Sequence, residues 1–520
     1  MPGTSFAGPR VPKDAAGRSA RTSQRTTGSA SAGAILRRSA WSLPDGDRHF
    51  RTQPTGVGAA PQFTSPGHAA MAGLASQLLN RSEKTMKTHK VEQLVIATVG
   101  FFWCFLMWFS TAAFSPSIAA QYHLSIAALG LLASSAIWMA PIGRIIAGWA
   151  SDRFGAPYTF AVILAGCGLV SILSAFTSNY DLLFAERVIV AIAGVSFVVG
   201  IQHVAQWFDP QEIGTAEGLY AGTGNVGAGM GALLLPRIFG TNYHAAFAWL
   251  GVIAIALAAW YLLRGSAAKT VERRAVVQRR SNIRGTVFVW SRYIAIALML
   301  AYAMSFGLEI ALNAWLPSYF TRGFHNAILA LGFAGVSGLQ IAAGTFAAVA
   351  SFCASLFRPF AGYMSDLFQQ KEWTPLPFIA KTLPYAPRLH WLGISLILIT
   401  TCMIGLTLAG LSGSLHASVL VLVALGICVS FGTGGTFALV PLLFPDRPGA
   451  AAGFIGGVST AAGIVYPLVF AGGANIHLGY LHAAIYMFVP FVLFYFWAAR
   501  YERHPEEHGL ISPTLIAGQA

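Results

Sequence analysis

"FRPFAGYMSD", residues 357–366, closes an apolar run that reads LQIAAGTFAAVASFCASLF from Leu339. An arginine and then a proline stand where such a run should simply continue. A parallel stretch, "GRIIAGWASD", occupies 143–152. Aligned, Arg144, Gly148 and Asp152 fall on Arg358, Gly362 and Asp366 with identical spacing. A second match follows. "GTAEGLYAGTGNVG" (214–227) pairs with "GAAAGFIGGVSTAAG" (449–463), setting glycines 214, 218 and 222 on 449, 453 and 457. A turn holding aromatics and proline precedes each, WFDPQEI and LFPDRP. The offset is 214 between the arginines and 235 between the glycine segments, and the extra 21 residues fit the polar, proline-rich stretch around 371–391. Self-similarity of this kind is the mark of an internal repeat, and here it divides the chain into two related halves.

Composition says what the halves are made of. The 520 residues are 55% hydrophobic and only 10% charged, and mean hydropathy is +0.60. A soluble domain carries about 25% charged residues. Apolar runs of roughly 20 residues, the length that crosses a hydrocarbon core of about 30 Å, recur twelve times between about 93 and 499. Backbone in lipid must satisfy its own hydrogen bonds, so the runs are helices. The expected fold is an all-α integral membrane protein of twelve transmembrane helices in two pseudo-symmetric six-helix halves, 91–263 and 287–500. Parallel repeats of this kind build major facilitator transporters.

The net charge of +14 raises the possibility of nucleic-acid binding, but its distribution points to membrane topology. Residues 1–90 hold thirteen Lys/Arg against four Asp/Glu, and 264–292 hold eight against one. The connections near 115–124, 412–417 and 474–480 hold none. Positive charge marks the cytoplasmic side. Both termini, the basic linker 264–286 and the tail 501–520 are therefore expected in the cytoplasm of a cell that carries the chain in its inner (plasma) membrane. The first 90 residues lack the apolar content to order themselves. They are read as a disordered basic extension, with Met71 or Met86 as the expected true start. Cys104, Cys167, Cys353, Cys402 and Cys428 all lie in apolar spans without paired spacing. They read as small buried side chains, with no disulfide, no metal site and no cofactor.

Arg144 and Arg358 each precede their aspartate by eight residues. At 1.5 Å per residue that is about 12 Å deeper, close to the bilayer midplane. An arginine there costs at least about 2.5–3.5 kcal/mol. One such residue can be held by backbone carbonyls. Two in equivalent positions are expected to face each other across a central cavity, unneutralised when empty, and to take an anion between them. A guanidinium fork donates two parallel hydrogen bonds and suits a planar oxyanion. Gly222, Gly224, Gly227, Gly453 and Gly457 let helices pack backbone to backbone and slide; with Asp152 and Asp366 they form the expected gating and packing set. No metal-ligand cluster, nucleophile elbow or cofactor motif points to an enzyme.

These segments resemble the nitrate/nitrite porter family of the major facilitator superfamily. "GWASDRFG" (148–155) resembles the superfamily loop motif between spans two and three. "GIQHVAQWFDPQEIGTAEGLYAGTGNVGAG" (200–229) and "GTGGTFALVPLLFPDRPGAAAGFIGGVSTAAG" (432–463) resemble the family's two nitrate signatures. "YAMSFGLEIALNAWLPSYF" (302–320) is similar to its seventh span. The resemblance covers roughly 93–499. It implies alternating-access transport of nitrate or nitrite, as an antiporter or a proton symporter, through a site of Arg144 and Arg358 with aromatic rings against the anion plane. Phe102 falls at a family aromatic position, and Tyr302 and Phe306 are further candidates. Asn225 keeps the first signature's asparagine and, like His203, is a candidate anion-binding residue. His203 stands where many members carry an anion-contacting asparagine, and Ser459 and Thr460 replace a glycine-asparagine pair. Glu309 carries a coupling proton or offsets the two positive charges. Glu186 and Arg187 read as a charge relay near Asp152. The expected partners are a small inorganic anion, protons and the lipid bilayer, with no nucleic acid, and the expected state is a monomer. Another small anion such as cyanate or a short carboxylate, or an anion sensor without transport, are the competing readings.

Overall fold

The computed structural model describes residues 88–503 apart from 209–212, 267–292, 378, 380, 382–384, 445–447 and 474. The expected N-terminal extension up to residue 87, the basic linker from 267 and the tail from 504 lie outside the described residues.

Among the described residues, twelve helical spans follow the order of the apolar runs. Span one is Thr88–Trp108, continued by Ser110–Ala113 and Ser115–Tyr122. Span two is Ile126–Ser135 and Ala140–Phe154, span three Ala156–Ser174, and span four Tyr180–Val190 with Ser196–Ala205. Span five is Ile213–Phe239, span six Tyr243–Arg264, and span seven Tyr293–Tyr302 with Leu308–Gly323. Span eight is Gly335–Leu356 and Arg358–Gln370, span nine Ala386–Leu411, and span ten Leu415–Leu443. Span eleven is Pro448–Thr460 and Ala462–Ala471, and span twelve Leu478–Arg503. Eleven of them are apolar enough to cross a membrane. Span five is long enough at 27 residues, but its glycines, Glu217 and Asn225 make it the most polar.

Side chains cap several spans at one end of the bundle. Ser125, Asn179, Asn242 and Ser414 accept from backbone N–H groups at the starts of spans two, four, six and ten. A cap of this kind replaces a lost intrahelical partner and is worth about 1 kcal/mol. All four sit in the charge-poor connections, where neutral side chains must do the capping.

The halves meet through spans five and eight and through spans two and eleven, pairs that the repeat exchanges. Glycine permits both approaches. A Cβ on Gly344 would collide with the Ala232 carbonyl, and one on Gly130 with the side chain of Ala471. Where the helices break, the freed carbonyls find donors, as membrane burial requires. Trp108 Nε1 donates to Ala136 O at 2.5 Å in the break of span two, and Ser134 Oγ donates across the halves to Ile464 O at 2.7 Å.

The two ends of the bundle differ. At the end that holds Gln340, polar contacts pin half to half. Ser318 Oγ donates to Ser115 Oγ at 2.8 Å. Gln340 Oε1 accepts from the Ser117 backbone at 3.2 Å, and its amide donates to Gly240 O at 2.8 Å. Arg322 donates to Leu124 O at 3.0 Å. Toward the end that holds Asp366, a Cβ on Gly148, Gly218, Gly362 or Gly453 would meet nothing within 4 Å among the described residues.

Candidate anion site

Both arginines sit beside a helix break made by proline. Pro141 opens the second segment of span two, and Arg144 follows one turn later. Pro359 stands within the first turn of the second segment of span eight, which begins at Arg358. Proline has no N–H and suits a helix start. That answers why an arginine and a proline interrupt the apolar run: the break presents the guanidinium at the middle of the bundle.

A third irregularity brings the other wall. Span seven makes one π turn over Ala303–Gly307, the local widening found at functional sites. Phe306 lies in it, 1% exposed. Arg144 Cζ sits 5.3 Å and Arg358 Cζ 5.9 Å from the centroid of its ring. Tyr302 stacks on Phe306 at 5.0 Å, and Phe437 meets Tyr302 edge-on at 4.9 Å. Phe197 of span four lies 6.2 Å from Phe306 and 5.7 Å from Arg144 Cζ. One ring thus serves two cations, a placement worth about 0.5–2 kcal/mol for each.

The arginines are not bare, which corrects the expectation of two unneutralised charges. Arg358 Nη2 donates to both carboxylate oxygens of Glu309 at 2.9 Å, because the π turn places Glu309 directly beyond Phe306. Arg144 Nη1 donates across the halves to Gly456 O at 2.8 Å. Even so, Arg144 Nε and Nη2 and Arg358 Nε are buried with no hydrogen-bond partner among the described residues. Each such donor costs about 1–3 kcal/mol, more when charged.

Asn225 enters the cluster from span five. Its amide donates to Glu309 Oε1 and to Ser355 Oγ at 3.2 Å. Asn313, one turn beyond Glu309, is 9% exposed and its amide nitrogen has no partner among the described residues.

Other expected residues lie elsewhere. His203 is bonded through Nδ1 to Tyr261 OH at 2.7 Å and through Nε2 to Ser266 O at 3.2 Å, so it serves packing at the end of span six. Phe102 is partly buried, with its carbonyl against Gly227. The neighbouring Phe101 is fully buried and stacked on Tyr220 at 4.9 Å. Arg187 lies over Phe247 at 4.2 Å and donates to Ser174 Oγ at 2.8 Å, and Glu186 accepts from Thr177 at 3.0 Å. These partners close span three, about 27 Å by helix rise from the turn after Asp152, so no relay joins Glu186 and Arg187 to Asp152. Asp366 pairs with Arg388 at 2.6 Å; the side chain of Asp152 lies outside the described set. Gly222 and Gly457 make ordinary contacts, with Ser355 O at 3.7 Å and Pro141 O at 3.9 Å from the place of a Cβ. Phe197, Phe437, Ser355 and the Gly456 carbonyl belong to the site and carry no sequence signal beyond residue type.

Residues 96–376 match the Major Facilitator Superfamily model. Three curated relatives match most of the chain. The nitrate/nitrite transporter NrtP of Nostoc punctiforme is 23% identical, covering 71% of this chain and 85% of its own length. The probable nitrate/nitrite antiporter NarK1 of Thermus thermophilus is 26% identical over 74% and 85%. The nitrite extrusion protein of Bacillus subtilis is 24% identical over 80% and 97%. Among solved structures, an inward-facing bacterial homologue of the human lysosomal transporter Spinster aligns with a TM-score of 0.57 at 16% identity, over 79% of this chain and 97% of that one. The xylose transporter XylE of E. coli aligns at 0.55 and 15%, over 78% and 98%; both likenesses concern the fold. With twelve spans in two repeats and a family match over more than half its length, the chain belongs to the major facilitator superfamily.

Proposed function

We propose that the chain is a secondary transporter that moves nitrate and/or nitrite by alternating access, with the anion held between Arg144 and Arg358. The carrying observation is the set of unpartnered guanidinium donors, Arg144 Nε and Nη2 and Arg358 Nε, around the Phe306 ring. A planar oxyanion supplies acceptors to both forks at once and lies flat against an aromatic face. The names of the three relatives support the same substrate class. Charge distribution supports an inner-membrane orientation with the Asp366 end and both termini in the cytoplasm. The pinned Gln340 end and the unpacked glycines at the other end support a state open toward the cytoplasm.

Loading draws the halves together, because each arginine comes from one half and the anion ties them. Glu309 gives the reading its proton. The anion and the Glu309 carboxylate compete for Arg358 Nη2. A proton on Glu309 removes the competitor, so proton and anion assist each other's binding, and by linkage the assistance is mutual. Proteoliposomes holding the purified chain test this: labelled nitrate should enter, nitrite should compete, and an imposed inward proton gradient should drive accumulation. Cyanate or a short carboxylate as the better competitor moves the assignment to that anion, and absence of flux removes the transport reading.

A further inference from the structure

We propose that Asn225 is a coupling residue and not an anion ligand: through Glu309 it makes separation of the halves at the site conditional on a proton. The inference rests on the transport reading above and deepens it.

Two polar struts cross between the halves at the level of the arginines. One runs from the first half to a backbone carbonyl of the second, Arg144 Nη1 to Gly456 O at 2.8 Å. The other runs from Asn225 on span five to Glu309 on span seven and Ser355 on span eight. Asn225 is 1% exposed and Glu309 2%, so water does not replace this strut when it breaks, and its loss leaves buried groups unpaired. Asn225 spends both amide hydrogens on the second half, where an anion ligand would aim them at the cavity.

The two struts answer to different inputs. An oxyanion competes with Gly456 O for Arg144. A proton on Glu309 neutralises the carboxylate that accepts from Asn225 and Arg358 and turns one of its acceptor oxygens into a donor, which weakens the strut and leaves it the bond from Asn225 to Ser355. Among the described residues, the charged and titratable groups around Glu309 are Arg358 on span eight and Tyr302 on its own span, with Arg144 on span two reaching the same Phe306 ring. No other acid among them offers Asn225 an alternative acceptor. Anion alone leaves the Asn225 strut, and proton alone leaves the Arg144 strut. Both inputs together loosen both and leave the anion as the tie between the halves, which is what prevents slippage. The repeat underlines the asymmetry. Thr460, the counterpart of Asn225, turns back to Gly456 O of its own helix at 2.6 Å. The proton-dependent strut therefore exists in one direction only.

The test uses the full chain in proteoliposomes, with nitrate as the probe, comparing wild type, Asn225→Ala, Ser355→Ala, Glu309→Gln and the Asn225→Ala/Glu309→Gln double variant. Two quantities are read: the accumulation driven by an imposed pH gradient, and the KM for nitrate in gradient-free exchange. In Asn225→Ala, accumulation should collapse toward equilibration while the KM stays within about threefold of wild type. The double variant should be no worse than Glu309→Gln, since both residues act in one strut. Ser355→Ala, the milder change, should lose part of the accumulation, and it carries the test if Asn225→Ala does not fold. A KM raised about tenfold or more with accumulation intact makes Asn225 an anion ligand and overturns the proposal. Unchanged accumulation with unchanged KM overturns it too. A wild type that exchanges nitrate but ignores the pH gradient overturns this inference and leaves transport standing, whereas a wild type without nitrate flux overturns both.

Discussion

The two arginines occupy equivalent places in the repeat, yet the two halves hold them differently. Arg358 is neutralised inside its own half by the Glu309 carboxylate. Arg144 is held by a neutral carbonyl borrowed from the other half. The site therefore carries one net positive charge, not two, and the first half supplies the uncompensated one. The same divergence recurs one helix away, where Asn225 reaches across and Thr460 turns inward. Duplication preserved where the polar groups sit; divergence changed whom they serve. A symmetric pair of cations would bind anions without a reason to involve protons; under the proposed mechanism the single acid on one side would supply that reason.

The comparison breaks most visibly at the arginines. Arg358→Lys should lower nitrate uptake at least about 100-fold although charge is kept, because an ammonium cannot supply the planar fork. Arg144→Lys should behave alike. Flux near wild type in either variant would mean that the fork is not what holds the anion. Glu309→Gln should remove the distinction between the halves without emptying the site: gradient-driven accumulation disappears, and nitrate exchange continues. If wild-type exchange is itself indifferent to an imposed pH gradient, Glu309 serves only to balance charge.

Smaller effects sharpen the picture. Phe306→Ala takes one ring from two cations and should raise the KM for nitrate about 5- to 30-fold, from about 0.5–1 kcal/mol per contact. An unchanged KM would show that the ring fills space only. The glycines separate next. A Cβ on Gly224 meets the Phe101 ring, so Gly224→Ala should cost about 1–3 kcal/mol of stability. Gly457 has only Pro141 O at 3.9 Å, so Gly457→Ala should leave the thermal midpoint in detergent nearly unmoved, alanine being the better helix former. Normal stability with reduced flux in Gly457→Ala would mark that contact as one that closes during the cycle.

Much of this arrangement was legible before any coordinates. Spacing alone paired Arg144 with Arg358, and the two guanidinium groups do come together around the Phe306 ring. What could not be read was orientation about each helix axis. Glu309 stands next to Arg358 because of a π turn that leaves no mark in AMSFG, residues 303–307. His203 and Arg187 had the right chemistry and roughly the right kind of location, but they face Tyr261 and Phe247 on span six. Gly456 contributes a carbonyl, which every residue has, so its part was invisible in side-chain types.

The pins around Gln340 have a thermal consequence. Opening that end breaks the Ser115–Ser318, Ser117–Gln340, Gly240–Gln340 and Leu124–Arg322 contacts before water reaches the groups they join. A barrier built from hydrogen bonds that must be lost ahead of solvation is mainly enthalpic. In the proposed cycle, closing the Asp366 end would set the uncontacted Gly148, Gly218, Gly362 and Gly453 against apolar surface, a change that near room temperature carries little enthalpy. The two half-turns of the cycle should therefore respond unequally to cooling. If the chain cycles as proposed, the step that exposes the Gln340 end should slow first on cooling, so that the carrier would wait in the cold with its other mouth open.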